Sequence, residues 1–184
     1  RMDAPSSYIA PEIFDKLTVI KGPQTVQWGP GASAGTVLFE RGPEHFGELG
    51  SRLNGSVLVG SNGRFDKVLD GAVGGPQGYL RAVGNQSEAD DYKDGHGHSV
   101  PSRWDKWNGD VALGWTPDAD TLVELTAGKG NGEARLGGRG MDSSQLERES
   151  LGLKFEKRNL GGVLDKLEAQ VYYNYADHIM DNFR

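Results

Sequence analysis

Seven segments of about ten residues carry side chains that alternate between apolar and polar, and this pattern constrains the fold most. They run roughly over 50–60, 64–74, 78–87, 104–116, 120–130, 145–157 and 166–180. Successive side chains on a strand point to opposite faces, so a period of two sorts each segment into two faces. In the fourth segment Val111, Leu113 and Trp115 oppose Asn108, Asp110 and Ala112. In the sixth, Leu151, Leu153 and Phe155 oppose Ser150, Gly152 and Lys154. In the seventh, Leu167, Ala169, Val171, Tyr173 and Tyr175 oppose Glu168, Gln170, Tyr172 and Asn174. A soluble sandwich and a transmembrane barrel both show such alternation.

The connections sort by length. GGPQG follows the second segment, TPDAD the fourth and RNLGGVLD the sixth, all compact. The connections after the third and fifth segments are about 15 residues each and glycine-rich, and SNG after the first is a short exception. Outer-membrane barrels have short periplasmic turns and longer outer loops. On that reading odd-numbered segments run outward, so 87–103 and 131–144 lie outside the cell and 74–78 faces the periplasm. Trp115, Tyr173 and Tyr175 are expected near strand ends, where an interfacial aromatic belt would lie.

Composition fits many strands and turns: 28 of 184 residues are Gly, and 36% are hydrophobic. No Cys is present, which excludes a disulfide framework or a Cys-based zinc site within these residues. The formal net charge is -6 with no basic patch, which argues against a nucleic-acid partner. No signal peptide and no apolar run long enough for a spanning helix is present, which leaves a strand-built barrel open. The chain begins without Met, inside what reads as a domain, and is expected to be a fragment.

Ahead of the strands, Pro11 to Lys16 reads as a short helical stretch, with Pro11 in its first turn. Leu17 to Ile20 reads as a buried strand, and Lys21-Gly22-Pro23 ends it. Thr25 to Trp28 can make one helical turn, Gly29-Pro30-Gly31 stops it, and Thr36 to Phe39 is a second strand. A dinucleotide-binding reading fails, because Gly29, Gly31 and Gly35 have the wrong spacing. This stretch of about 25 positions, LTVIKGPQTVQWGPGASAGTVLFER, resembles the C-terminal end of the plug domain of TonB-dependent outer-membrane receptors. Trp28 stands where Tyr is commoner in that family, and Ala34 where a second Gly is. The resemblance implies an all-β transmembrane barrel, represented by its first seven or so antiparallel strands and preceded by the C-terminal part of an α+β plug domain. The expected division is 1–45 for plug and linker, and 46–184 for barrel strands. Seven strands are too few to close around a plug, so the rest of the barrel is expected beyond this chain.

Candidate chemistry is sparse. In Glu88 to His98, Asp90, Asp94 and Gly95 partly imitate a calcium loop, but Tyr92 sits at a ligand position and Pro101 replaces the final Glu. His96 and His98 fit a solvated outer loop. His45 lies in the linker with no partner that the sequence identifies, and Asp90-Asp91 lack the apolar setting that shifts a carboxyl. No nucleophile with its base appears, so no enzyme is expected, nor any catalytic or cofactor-binding residue. His178 and Met180, two apart on one strand, share a face. Imidazole with thioether suits copper. A loop His beside a packing Met is the bland alternative.

The longer run from Arg1 to Gly42 is similar to the copper-receptor branch of the family, the OprC/NosA type. That resemblance implies a copper site shared by a Cys-x-x-x-Met motif of the plug and a His-x-Met motif of the barrel. Met2 matches the first Met; His178 and Met180 match the second motif. The Cys would lie four residues before Met2, outside this chain. Two thioethers with an imidazole favour Cu(I) over zinc. The implied partners are copper, TonB of the inner membrane and outer-membrane lipid, with import into the periplasm. The weighed alternatives are a siderophore or other metal-chelate receptor on the same scaffold, and a non-membrane β-sheet binding protein.

Overall fold

A computed structural model describes residues 11–22, 35–136, 142–162 and 164–181. They are almost wholly antiparallel β-structure, and all seven expected strands are present in order. β3 (Gly50–Val59), β4 (Phe65–Gly75), β5 (Gly78–Ala89), β8 (Trp104–Trp115), β9 (Thr121–Ala134), β10 (Asp142–Arg158) and β11 (Lys166–Asp181) form one sheet, each strand pairing with the next along the chain. A small hairpin of β6 (Tyr92–Lys93) and β7 (Ser99–Val100) stands in the connection between β5 and β8. β1 (Lys16–Lys21) and β2 (Gly35–Glu40) pair as a separate two-stranded ladder, Leu17 opposite Phe39 and Val19 opposite Val37.

Several expectations change, and the strand at Leu17 to Ile20 is not buried, since Leu17 and Val19 are both exposed. The helical stretch over Pro11 to Lys16 is only a 3-10 turn, Pro11–Ile13. Phe14 N–H closes that turn on Pro11 O at 3.2 Å, but Asp15 N–H donates to Glu40 O at 2.9 Å. Pairing with β2 thus captures the chain before an α-turn can propagate. The connection after β9 is also shorter than expected: the ladder runs to Ala134 and resumes at Asp142, leaving 135–141. The helical turn expected at Thr25 to Trp28 lies outside the described residues. The short link after β3 is a turn through Asn62 and Gly63, both at positive φ (59° and 64°). An Asn-Gly pair suits that left-handed geometry and lets two long strands join tightly.

The sheet has two unlike faces. Even positions of β3, β4 and β8 to β11, with odd positions of β5, make a polar face. Arg81, Val83, Asn85 and Ser87 of β5 are buried there, as are Asn108 and Asp110 of β8. The opposite face is apolar yet open: Leu53 and Val171 are each 72% exposed, and Leu69, Leu113, Trp115 and Leu151 are also exposed. Ile13 and Val83 form a small core with Phe14 and Val68, where the chain ahead of β1 packs on the polar face.

The apolar band crosses the strand ladder at a slant. Leu53, Gly71, Ala82, Val111, Ala127, Leu151 and Tyr173 lie in one row of paired residues. On β3 the band extends from that row toward the strand's end, to Val57 and Val59; on β11 it extends the other way, to Leu167. The drift is about one residue per strand. With a rise of ~3.3 Å and strands ~4.8 Å apart, it corresponds to a tilt of roughly 35°. Tyr173 and Tyr175 therefore sit at the band's margin rather than at the strand's end. Beyond them the same face turns charged: Lys129 meets Glu149 at 2.9 Å and Glu147 at 3.6 Å, with Glu133 and Asp177 nearby in the ladder.

Candidate metal centre

β11 pairs only with β10 among the described residues. His178 stands opposite Leu146, and Met180 opposite Ser143. Both belong to the polar face, at the end away from the compact turns at 76–77 and 116–120. His178 is exposed and Met180 half-buried. Two residues along a strand span about 6.6 Å, close enough for a long thioether and an imidazole to converge on one ion. The end of β11 is pinned there. A register shift between Ser143 and Gln145 frees Ser144, whose hydroxyl donates to Ile179 O at 3.2 Å and to Asp181 Oδ2 at 3.0 Å. Met2, the third expected ligand, lies outside the described residues, so the structure brings together two of the three.

The other candidates do different work. In the 90–103 connection Asp94 Oδ1 accepts from the backbone N–H of His96 at 2.8 Å and His98 at 2.9 Å. Those donors, His98 first, hold its carboxyl below the usual carboxylate range. The rings of His96 and His98 stack 6.4 Å apart, and Asp94 Oδ2 lies 3.4 Å from His98 Nδ1. Asp91 Oδ1 accepts from Ser102 and Arg103 N–H, at 2.8 and 2.9 Å. Both aspartates thus serve the loop's own turns. His45 is exposed. Among the described residues no group of three His, Cys, Asp or Glu is arranged to hold a metal.

Ion pairs tie the N-terminal hairpin to the sheet. The Arg81 side chain, 5% exposed, reaches Asp70 at 2.9 Å, Asp15 at 3.1 Å and Glu44 at 3.6 Å. Arg52 adds hydrogen bonds to Asp70 at 3.2 Å. The Arg81 guanidinium holds the Asp15 carboxyl below its usual range, against the opposing effect of partial burial. Farther along, Asp110 lies 3.1 Å from Arg41 and 3.2 Å from Arg148. The Arg41 contact is an ion pair by proximity, since its Nη2 has no partner in hydrogen-bond geometry. Arg41 Nε donates to Ile13 O at 2.9 Å, and its guanidinium stacks 4.5 Å over Phe14. Glu12 accepts from Asn85 at 3.2 Å.

A solved structure described as "Copper transporter OprC" superposes on the chain with a TM-score of 0.94. Identity is 76%, over 100% of this chain and 28% of that one. The chain is similar to OprC along its whole length. It spans about 28% of the length of the solved OprC chain. No protein-family model matches it, and no curated protein does. The OprC likeness is to a transporter and not to an enzyme, as the absence of a nucleophile and base led us to expect.

The ion-pair networks are the part of this OprC-type chain that sequence reasoning missed. A signal existed. Asp70, Arg81, Asp110 and Arg148 are charges inside alternating strands, all on the face opposite Leu53, Leu69, Leu113 and Leu151. Arg148 reaches Asp110 across β9 because Gly128 and Gly130 leave no side chain between them: a Cβ at Gly128 would strike Asp110 and Ser150.

Proposed function

We propose that this chain is part of a TonB-dependent outer-membrane receptor that binds copper and imports it into the periplasm. In this reading residues 1–45 end a plug domain and its linker, and 46–184 are barrel strands. The open apolar face meets lipid, the polar face lines a lumen, and the hairpin that packs on it belongs to the plug. The slant of the apolar band supports strands wound into a barrel, where tilts of about 35–45° are usual. TonB of the inner membrane would energise passage.

The likeness to a copper transporter carries this proposal, taken with the place of His178 and Met180 on the polar face beyond the apolar band. Met2 would complete the set from the plug side. Copper arriving from outside would meet an imidazole and two thioethers, a donor set that holds Cu(I) better than zinc. The shared site would let ligand binding bias plug position. The test is copper content of the purified full-length receptor. His178→Ala and Met180→Ala should each lower retained copper at least tenfold, the loss expected from about 1.4 kcal/mol of binding energy, with barrel assembly intact. Wild-type copper in both variants would remove these residues from the site.

A further inference from the structure

On the apolar face a shallow groove of about 450 Å³ opens across β3, β4 and β5, lined by Gly55, Val57, Lys67, Leu69, Gly84 and Gln86. Its floor follows from the pairing: Gly55, Leu69 and Gly84 lie in one row, continued by Gly109. A Cβ at Gly84 would come no nearer than 3.9 Å to any atom, and one at Gly109 would meet nothing within 4 Å. The sheet surface is therefore indented where its neighbours carry branched side chains. The next row toward the loop-bearing end holds Val57, Lys67, Gln86 and the exposed Trp107. Trp at such a height marks a level where an apolar body and a polar N–H meet different surroundings.

Lys67 is the anomaly. Three lysines lie on this face among the described residues. Lys129 has Glu149 at 2.9 Å, and Lys157 has Asp118 at 3.4 Å. The near contacts of Lys67 are neutral, the Phe65 ring at 4.7 Å and Gln86 Oε1 at 3.5 Å, and Glu88 stands one row on, opposite Phe65. No carboxylate comes within 4.0 Å of it among the described residues. An ammonium on an apolar surface needs an anion or water, and beside it runs the apolar trench.

We propose that the groove binds a phosphate-bearing membrane lipid, its acyl chain over Gly55 and Gly84 and its phosphate on Lys67. This rests on the reading of the apolar face as lipid-facing. Charge chooses the occupant: an uncharged lipid leaves Lys67 uncompensated, whereas a phosphate pairs with it as the Gln86 amide cannot. Chain and phosphate belong to one molecule, so each holds the other in place.

The test uses full-length receptor in detergent, native mass spectrometry, and dioleoylphosphatidylglycerol as the probe. Lys67→Gln, and separately Gly84→Leu to fill the trench, should each reduce the bound lipid roughly fivefold. Lys129→Gln should not. Dioleoylglycerol, which lacks the phosphate, should not be retained, and excess inorganic phosphate should not displace the lipid. Barrel assembly is checked by heat-dependent gel migration. Undiminished lipid on either variant overturns the proposal, as does displacement by inorganic phosphate. A receptor that stays dispersed without detergent would instead overturn the membrane reading itself, so the two failures are told apart.

Discussion

Arg81 shows how one residue fastens two parts of this molecule. It is buried at the junction of hairpin and sheet, and its cost of desolvation is offset only while Asp15, Asp70 and Glu44 surround it. Arg81→Ala leaves Asp15 without its cation, and Asp70 and Glu44 with Arg52 alone, and should destabilise the full-length protein by about 3–5 kcal/mol, read as a lowered thermal midpoint in detergent. Arg81→Lys should recover only part of that loss, because an ammonium cannot make the same forked contacts. Asp15 is the titrating partner. Its folded carboxyl is depressed, so its contribution is fully present above the ordinary carboxylate pKa of about 4 and is lost as pH falls through the lower folded value. The protection factors of the amides over 11–20, which divide out the intrinsic pH dependence of exchange, should therefore be unchanged between pH 7 and 5 and should fall only in stronger acid. Asp15→Asn should show the lowered protection already at pH 7. A fall in wild-type protection factors between pH 7 and 5 would count against this pairing.

The elements were legible to different degrees, for physical reasons. The seven strands could be read because burial on one face and exposure on the other impose a period of two on every one of them. Leu151 and Ser150 announce their faces without reference to any neighbour. The 3-10 turn at Pro11–Ile13 was misjudged because a hydrogen bond to Glu40, 25 residues later than Asp15, decides it. The reach of β9 and β10 was underestimated because polar residues outside the apolar band still pair. The candidate site was half legible: spacing put His178 and Met180 on one face, but Arg148's path over Gly128 depends on three strands at once. That path gives a test. Gly128→Val should push Arg148 off Asp110 and loosen the Arg41 contact, seen as faster proteolysis of the N-terminal hairpin in an assembled receptor. Orientation is tested at the connections. Ser99→Cys should react with an impermeant thiol reagent on intact cells while Gln77→Cys should not; the opposite result would invert the proposed topology.

At the scale of the whole chain, β3 and β11 each offer an unpaired edge among the described residues, and the apolar face has no cover. The 184-residue chain alone in plain buffer should aggregate without a cooperative unfolding transition. A sharp, reversible melt would argue for a soluble sheet protein. In the copper receptor proposed above, the charged overhang of β9 to β11 bears on capture rate rather than affinity. Glu133, Glu147, Glu149 and Asp177 outnumber Lys129 on that collar. Their summed field would draw cations in from farther than contact distance. Salt shortens that reach to about 8 Å at physiological ionic strength. Monovalent metal should thus associate faster in dilute buffer than in brine, while its departure, set in the proposed site by Met2, His178 and Met180, keeps the same pace.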